Sequence, residues 1–113
     1  MGFRSEGESS FDERENAYEA EFVHREELRF KVREEAIKLL ALWAAERLGK
    51  SGQAGEAYAQ DVVALDVASS KPEVALGRIV SDLHTTGVSE QAVCQAMNQF
   101  LAQAGAFTLG SAS

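Results

Sequence analysis

Residues 10–49 read SFDERENAYEAEFVHREELRFKVREEAIKLLALWAAERLG, and neither proline nor glycine interrupts them before Gly49. Their second half carries Val32, Ala36, Leu39, Leu40 and Trp43 on one helical face, because side chains three and four residues apart share a face. Phe11, Tyr18 and Phe22 recur nearly in phase with that stripe, but among residues that are half charged. Between the two apolar blocks the same face holds Arg25, Arg29 and Arg33. Three cations in a row repel one another, and burying them unpaired costs several kcal/mol by the order of magnitude for isolated charges. A core built on this helix is therefore expected to stop at about Val32. The segment before it is predicted to project, its aromatics awaiting a groove on another protein.

Local signals agree with a long first helix. Ser10 and Glu13 have the spacing of a capping box, and Asp12 and Glu13 place acid in the first turn, where the helix dipole favours it. Glu21/Arg25, Glu27/Lys31 and Glu34/Lys38 stand four residues apart, a supporting arrangement on a helix surface. Gly49 is the expected C-terminal stop. Residues 1–10 are rich in Gly, Ser and Glu and lack periodicity, so a disordered leader is expected.

Downstream, Ser51 is a candidate cap for a second helix reaching about Ala68, with Ala54, Tyr58, Val62 and Leu65 as its stripe. Ser70 and Glu73 suggest another capping box, with Pro72 at a position where its missing N–H does no harm. Leu76, Ile79, Val80 and Leu83 form the stripe of a third helix that stops at Gly87. Val88 precedes a cap at Ser89 and is placed to staple against Val93. The fourth helix offers Val93, Ala96, Met97, Phe100 and Ala104, and residues 105–113 have tail composition. No window alternates like a strand. Four amphipathic helices with short connections predict an all-α antiparallel four-helix bundle over residues 31–104. The same division predicts a partly disordered arm over residues 11–30 and a flexible tail over 105–113.

Composition narrows the function. The net charge of −7 argues against nucleic acid, whose phosphates require a basic face. Acid is concentrated early: residues 1–35 hold 11 Asp/Glu against 6 Lys/Arg. The longest apolar run, residues 37–45, is broken by Lys38 and is too short to span a bilayer. The opening MGFRSEGESS has no apolar h-region, so no secretory leader is expected. With Cys94 as the one cysteine, no intrachain disulfide is possible.

Catalytic patterns fail on inspection. Glu21-x-x-His24 is half of a di-iron motif, but His84, the other histidine, has Ser81 three residues before it, so the second half is missing. Gly49-Lys50-Ser51 resembles the end of a phosphate loop, yet Ala44 stands where the earlier glycine is required. A helix-breaking turn explains it better. Cys94 lies at the edge of an apolar stripe, without a histidine nearby in sequence, and reads as a packing residue. Trp43 and Tyr58 read as core. No base, nucleophile and oxyanion site assemble, so neither an enzyme nor a metal or cofactor is expected.

The runs FDERENAYEAEF, HREELRFK, KLLALWAAERLG and SGQAGEAYAQDVV resemble the zeta-type inhibitor subunit of alphaproteobacterial F-type ATP synthases. The likeness is close from about Phe11 to Ser81 and looser over the fourth helix. It implies an inhibitor of ATP hydrolysis whose N-terminal segment enters the catalytic α/β interface while the bundle docks on the α, β and γ subunits. Phe11, Asp12, Arg14, Tyr18 and Phe22 match the family's inhibitory segment. Glu26, Glu27, Leu28, Arg29, Phe30 and Lys31 match the motif joining it to the bundle. The resemblance implies a cytoplasmic chain, peripheral to the membrane-bound synthase, without cofactor, and expected to be monomeric when free. Arg25 stands where the family tends to be acidic, and Glu34 and Glu35 where it tends to be basic. Such reversals matter for partner choice, and the alternative reading is a helical adaptor or divergent paralogue of the same fold serving another protein.

Overall fold

In the computed structural model, the structure describes the backbone of residues 2–112 and the side chains of residues 24–106. The backbone of residues 2–10, expected as a disordered leader ahead of a cap at Ser10, is helical and continuous with α1, while Phe11, Asp12, Arg14, Tyr18 and Phe22 lie outside the residues with described side chains. Among the described residues the elements are α1 (Gly2–Arg47), α2 (Gln53–Ala68), α3 (Glu73–Leu83), a 3-10 turn over His84–Thr86, and α4 (Glu90–Ala112), with no strand. The chain divides into two compact units, Met1–Phe30 and Lys31–Ser113.

The core of the second unit draws on the predicted stripes in part: of the expected α1 stripe Ala36 and Leu40 are buried, whereas Val32, Leu39 and Trp43 are half-buried and the unpredicted Ile37, Ala41, Ala44 and Ala45 fill the core face. Ala36, Ile37, Leu40, Ala41, Ala44 and Ala45 of α1 meet Tyr58, Ala59 and Val62 of α2 in one buried cluster. Ala75, Ile79 and Leu83 of α3 join them, as do Val93, Ala96, Met97 and Ala104 of α4. Trp43, Leu76, Val80 and Phe100 pack on its margin. The many alanines let helix axes approach closely, which suits a unit with few large core side chains. On α2 the buried face is Gly55, Tyr58, Ala59, Val62 and Asp66. Ala54 is exposed and Leu65 half-buried, so the face is rotated by about one residue from the predicted stripe, and it ends in an aspartate.

The connections show which caps the sequence reveals. Gly49 adopts φ 78°, and the Lys50 N–H donates to Ala45 O at 2.8 Å while the Gly49 N–H donates to Glu46 O at 3.1 Å. These two bonds are the Schellman closure of α1, which needs a left-handed residue at Gly49. Ser51 does not cap α2; Gly52, at φ 57°, is the cap residue and makes no side-chain bond. Ser51 is still engaged in the turn, its carbonyl accepting from the Ala54 N–H. Nor does Ser70 cap α3, which begins after Pro72 without a side-chain cap bond. Its neighbour Ser69 instead accepts from the Lys71 N–H at 3.1 Å, turning the chain one residue early. Ser89 caps α4 as expected, its Oγ accepting from the Ala92 N–H at 3.1 Å, and Val88 packs against the core. Gly87 ends the 3-10 turn at φ 81°. Helix α4 runs past Gly105, where a tail was expected. A helical glycine costs only about 1 kcal/mol, and here it faces α1, with a Cβ position 4.0 Å from Val32 Cγ1.

Candidate protein-docking surface

The described part of the expected joining motif is a solvated helix surface. Glu26, Glu27, Arg29 and Phe30 are exposed and Leu28 is half-buried. Lys31, which opens the second unit, is exposed as well. Arg29 Nη1 lies 3.2 Å from Glu26 Oε1, with both side chains mostly in water. Such a pair contributes about 0–1 kcal/mol. Phe30 is the large apolar residue left open here, at 54% exposure. Burying a phenylalanine on a partner contributes about 1.5–3 kcal/mol, so this residue has more to gain from docking than from the free chain.

Arg33, expected to stay outside the core with Arg25 and Arg29, is instead an anchor. Its Nε donates to Asp66 Oδ2 at 3.2 Å and its Nη2 to Asp66 Oδ1 at 2.9 Å. Nη2 also donates to the Pro72 carbonyl at 2.8 Å. A planar guanidinium matches a carboxylate in this two-pronged way, and the third bond reaches the α2–α3 connection. One side chain of α1 thus ties down both α2 and the start of α3. Asp66 is the buried polar residue of the described set. Burial alone would push its carboxyl up; hydrogen bonds from Arg33 and Glu34, with the Arg33 charge, outweigh that and hold it below the usual range. Beside it, the Glu34 carboxyl is pushed from 4.5 up to about 7, first by burial, then by its hydrogen bond to Asp66 and the Asp66 charge, with Arg33 opposing.

A second polar contact closes α2 on α3. Tyr58 OH donates to Asp82 Oδ2 at 2.8 Å, and Arg78 Nε sits 3.5 Å from the same oxygen. The Tyr58 phenol is pushed upward by burial, by that bond and by the Asp82 charge, against the opposing Arg78 charge. Tyr58 is thereby a core ring with its hydroxyl satisfied. Trp43 is half-buried, with the Arg47 guanidinium 3.9 Å above its ring. On the outer side of α2 a shallow groove runs between Lys38 and the α2 residues Ala59, Val63, Ala64 and Val67, and Val67 is 55% exposed.

None of these clusters has the parts of a catalytic centre. His24, His84 and Cys94 are exposed and lie on different elements. Among the described residues no group of three or more His, Cys, Asp and Glu is placed to hold a metal ion, and no helix is long and apolar enough to cross a membrane. Lys50 sits in the Schellman turn, not in a phosphate cradle. Sequence reading missed Arg33, Glu34, Asp66 and the Tyr58–Asp82 bond. The available signal was Asp66 itself, a carboxylate four residues after Val62 on an apolar face, which demands a cation from a neighbouring helix.

The family model for ATPase inhibitor subunit zeta matches residues 8–106. The chain belongs to that family. An ATPase inhibitor subunit is a regulatory protein and not an enzyme, and its partner is the ATP synthase. No curated protein and no solved structure matches the chain.

Proposed function

We propose that the chain blocks ATP hydrolysis by the F-type ATP synthase of an alphaproteobacterium. Its N-terminal helical arm, residues 11–30, wedges into the catalytic α/β interface while residues 31–104 dock as an antiparallel four-helix bundle against the α, β and γ subunits. In the arm, Phe11, Asp12, Arg14, Tyr18 and Phe22 meet the catalytic interface. Residues Glu26, Glu27, Leu28, Arg29, Phe30 and Lys31 join the arm to the bundle and line its approach to the partner. The chain acts in the cytoplasm, peripheral to the membrane-bound enzyme, and is monomeric when free.

The observation that carries this reading is the extent of the family match, which spans residues 8–106 and so takes in the arm as well as the bundle. The division of the chain between Phe30 and Lys31 supports a two-part mechanism, and the open Phe30 ring gives the joining motif an apolar contact to offer. Affinity capture from host membranes with the tagged chain tests the partner. Recovery of the α, β and γ subunits is expected. Capture of none of them would overturn the proposal.

A further inference from the structure

The charged cluster beneath the start of the second unit holds more acid than its cation can serve. Arg33 spends Nε and Nη2 on Asp66, and Nη2 again on the Pro72 carbonyl. Glu34 Oε1 is buried, and no donor reaches it. Two carboxyl groups lying against one another are both acceptors, so a hydrogen bond between them exists only while a proton is shared. We propose that the Glu34–Asp66 pair holds one proton and forms a pH-sensitive latch on the Arg33 clamp, firm when protonated and loosened when the proton leaves to solvent.

The charged groups on the elements around Glu34 are either engaged elsewhere or exposed. On its own helix Arg33 is already engaged, and Lys38 stands one turn further on, exposed. From α2 comes Asp66 itself, with Val62 and Val63 as the turn before it. The α2–α3 connection brings Lys71 and Glu73, both exposed. The charged residue of α4 is Glu90, in its first turn, whereas Gly105 is the α4 residue that meets Val32. Loss of the proton therefore puts a second negative charge beside Asp66, whose one guanidinium partner is already engaged.

The sign follows from linkage. The Glu34 carboxyl titrates near 7 in the folded chain against an ordinary 4.5. Folding is favoured by the protonated form, fully so below 4.5, and that contribution is lost as pH rises through about 7. Asp66 shifts the other way and adds its contribution above an ordinary 3.8, outside this window. Stability of the full chain is to be measured by urea unfolding from pH 5.5 to 8.5, for the native protein and for Glu34→Gln, whose amide donates to Asp66 without a proton to lose. The ratio of the two unfolding constants is expected to change on the order of tenfold across the window. Carbon NMR of the Glu34 carboxyl in the native chain should show a midpoint near 7, a readout that stands even if the variant folds poorly. Parallel pH profiles, or a Glu34 midpoint with the ordinary glutamates near 4.5, would overturn the latch. Both readouts use the free chain, so failure here is distinct from failure of the inhibitory mechanism.

Discussion

Asp66 shows how a single residue can be worth more than a surface full of ion pairs. Its side chain is 4% exposed and its charge is met by Arg33, itself 29% exposed. Removing the cation leaves a buried carboxylate without its partner, a change that costs about 3–5 kcal/mol in comparable pairs. Arg33→Ala is therefore expected to lower the unfolding free energy by about 3 kcal/mol, measured by urea denaturation at pH 7. Arg29→Ala, which breaks only the solvated contact to Glu26, should change it by no more than about 0.5 kcal/mol. Equal effects would show that Arg33 is not an anchor. The same contrast explains what sequence could convey at this scale. Arg25, Arg29 and Arg33 are identical in type and evenly spaced, and only the position of Asp66 on a different helix separates the last from the others. That relation depends on how α1 and α2 pack, and no spacing within either helix contains it.

The helices themselves were legible because their signals are local. Alternation at 3.6 residues, the stop at Gly49 and the cap at Ser89 each depend on neighbours within a turn or two. Caps failed at Ser51, where Gly52 takes the cap position, and at Ser70, whose neighbour is also a serine. Ser69 and Ser70 are equally plausible in sequence, and the turn uses the one whose oxygen reaches the Lys71 N–H. The glycines within helices test the packing directly. A Cβ added at Gly77 meets nothing within 4 Å, and α3 is short at 11 residues. Gly77→Ala is expected to stabilise the chain by about 1 kcal/mol, the difference in helix preference. At Gly55 a Cβ would come within 3.2 Å of the Lys50 carbonyl. That carbonyl belongs to backbone fastened by the Lys50 N–H bond to Ala45, so it cannot retreat freely. Gly55→Ala should therefore destabilise by about 1 kcal/mol despite the better helix former. Thermal unfolding of the two variants checks both signs. A stabilised Gly55→Ala would mean that the turn after α1 yields easily.

Taken as a whole molecule, the chain pairs a unit that carries its own core with a segment whose apolar residues, under the proposed wedge mechanism, find use on a partner. The four described stripes converge within residues 36–104, all of them inside the second unit. Phe11, Tyr18 and Phe22 could add about 1.5–3 kcal/mol each when buried on the synthase. Ordering their backbone costs about 1–2 kcal/mol per residue, offset only in part by intrinsic helix formation. The arm alone should thus bind feebly, while a docked second unit raises its effective concentration to about millimolar. Phe30→Ala is expected to weaken inhibition while leaving the melting temperature within about 1–2 °C, because its ring is open to water in the free chain. A large drop in melting temperature would assign Phe30 to the fold instead. The division of labour between arm and bundle is the central claim, and steady-state ATP hydrolysis by the cognate catalytic head measures it most directly. The full chain should inhibit; a chain beginning at Leu28 should compete with it for docking yet leave hydrolysis intact; a peptide of residues 1–27 should inhibit only at far higher concentration. Inhibition by the shortened chain as strong as that by the full one would contradict the wedge.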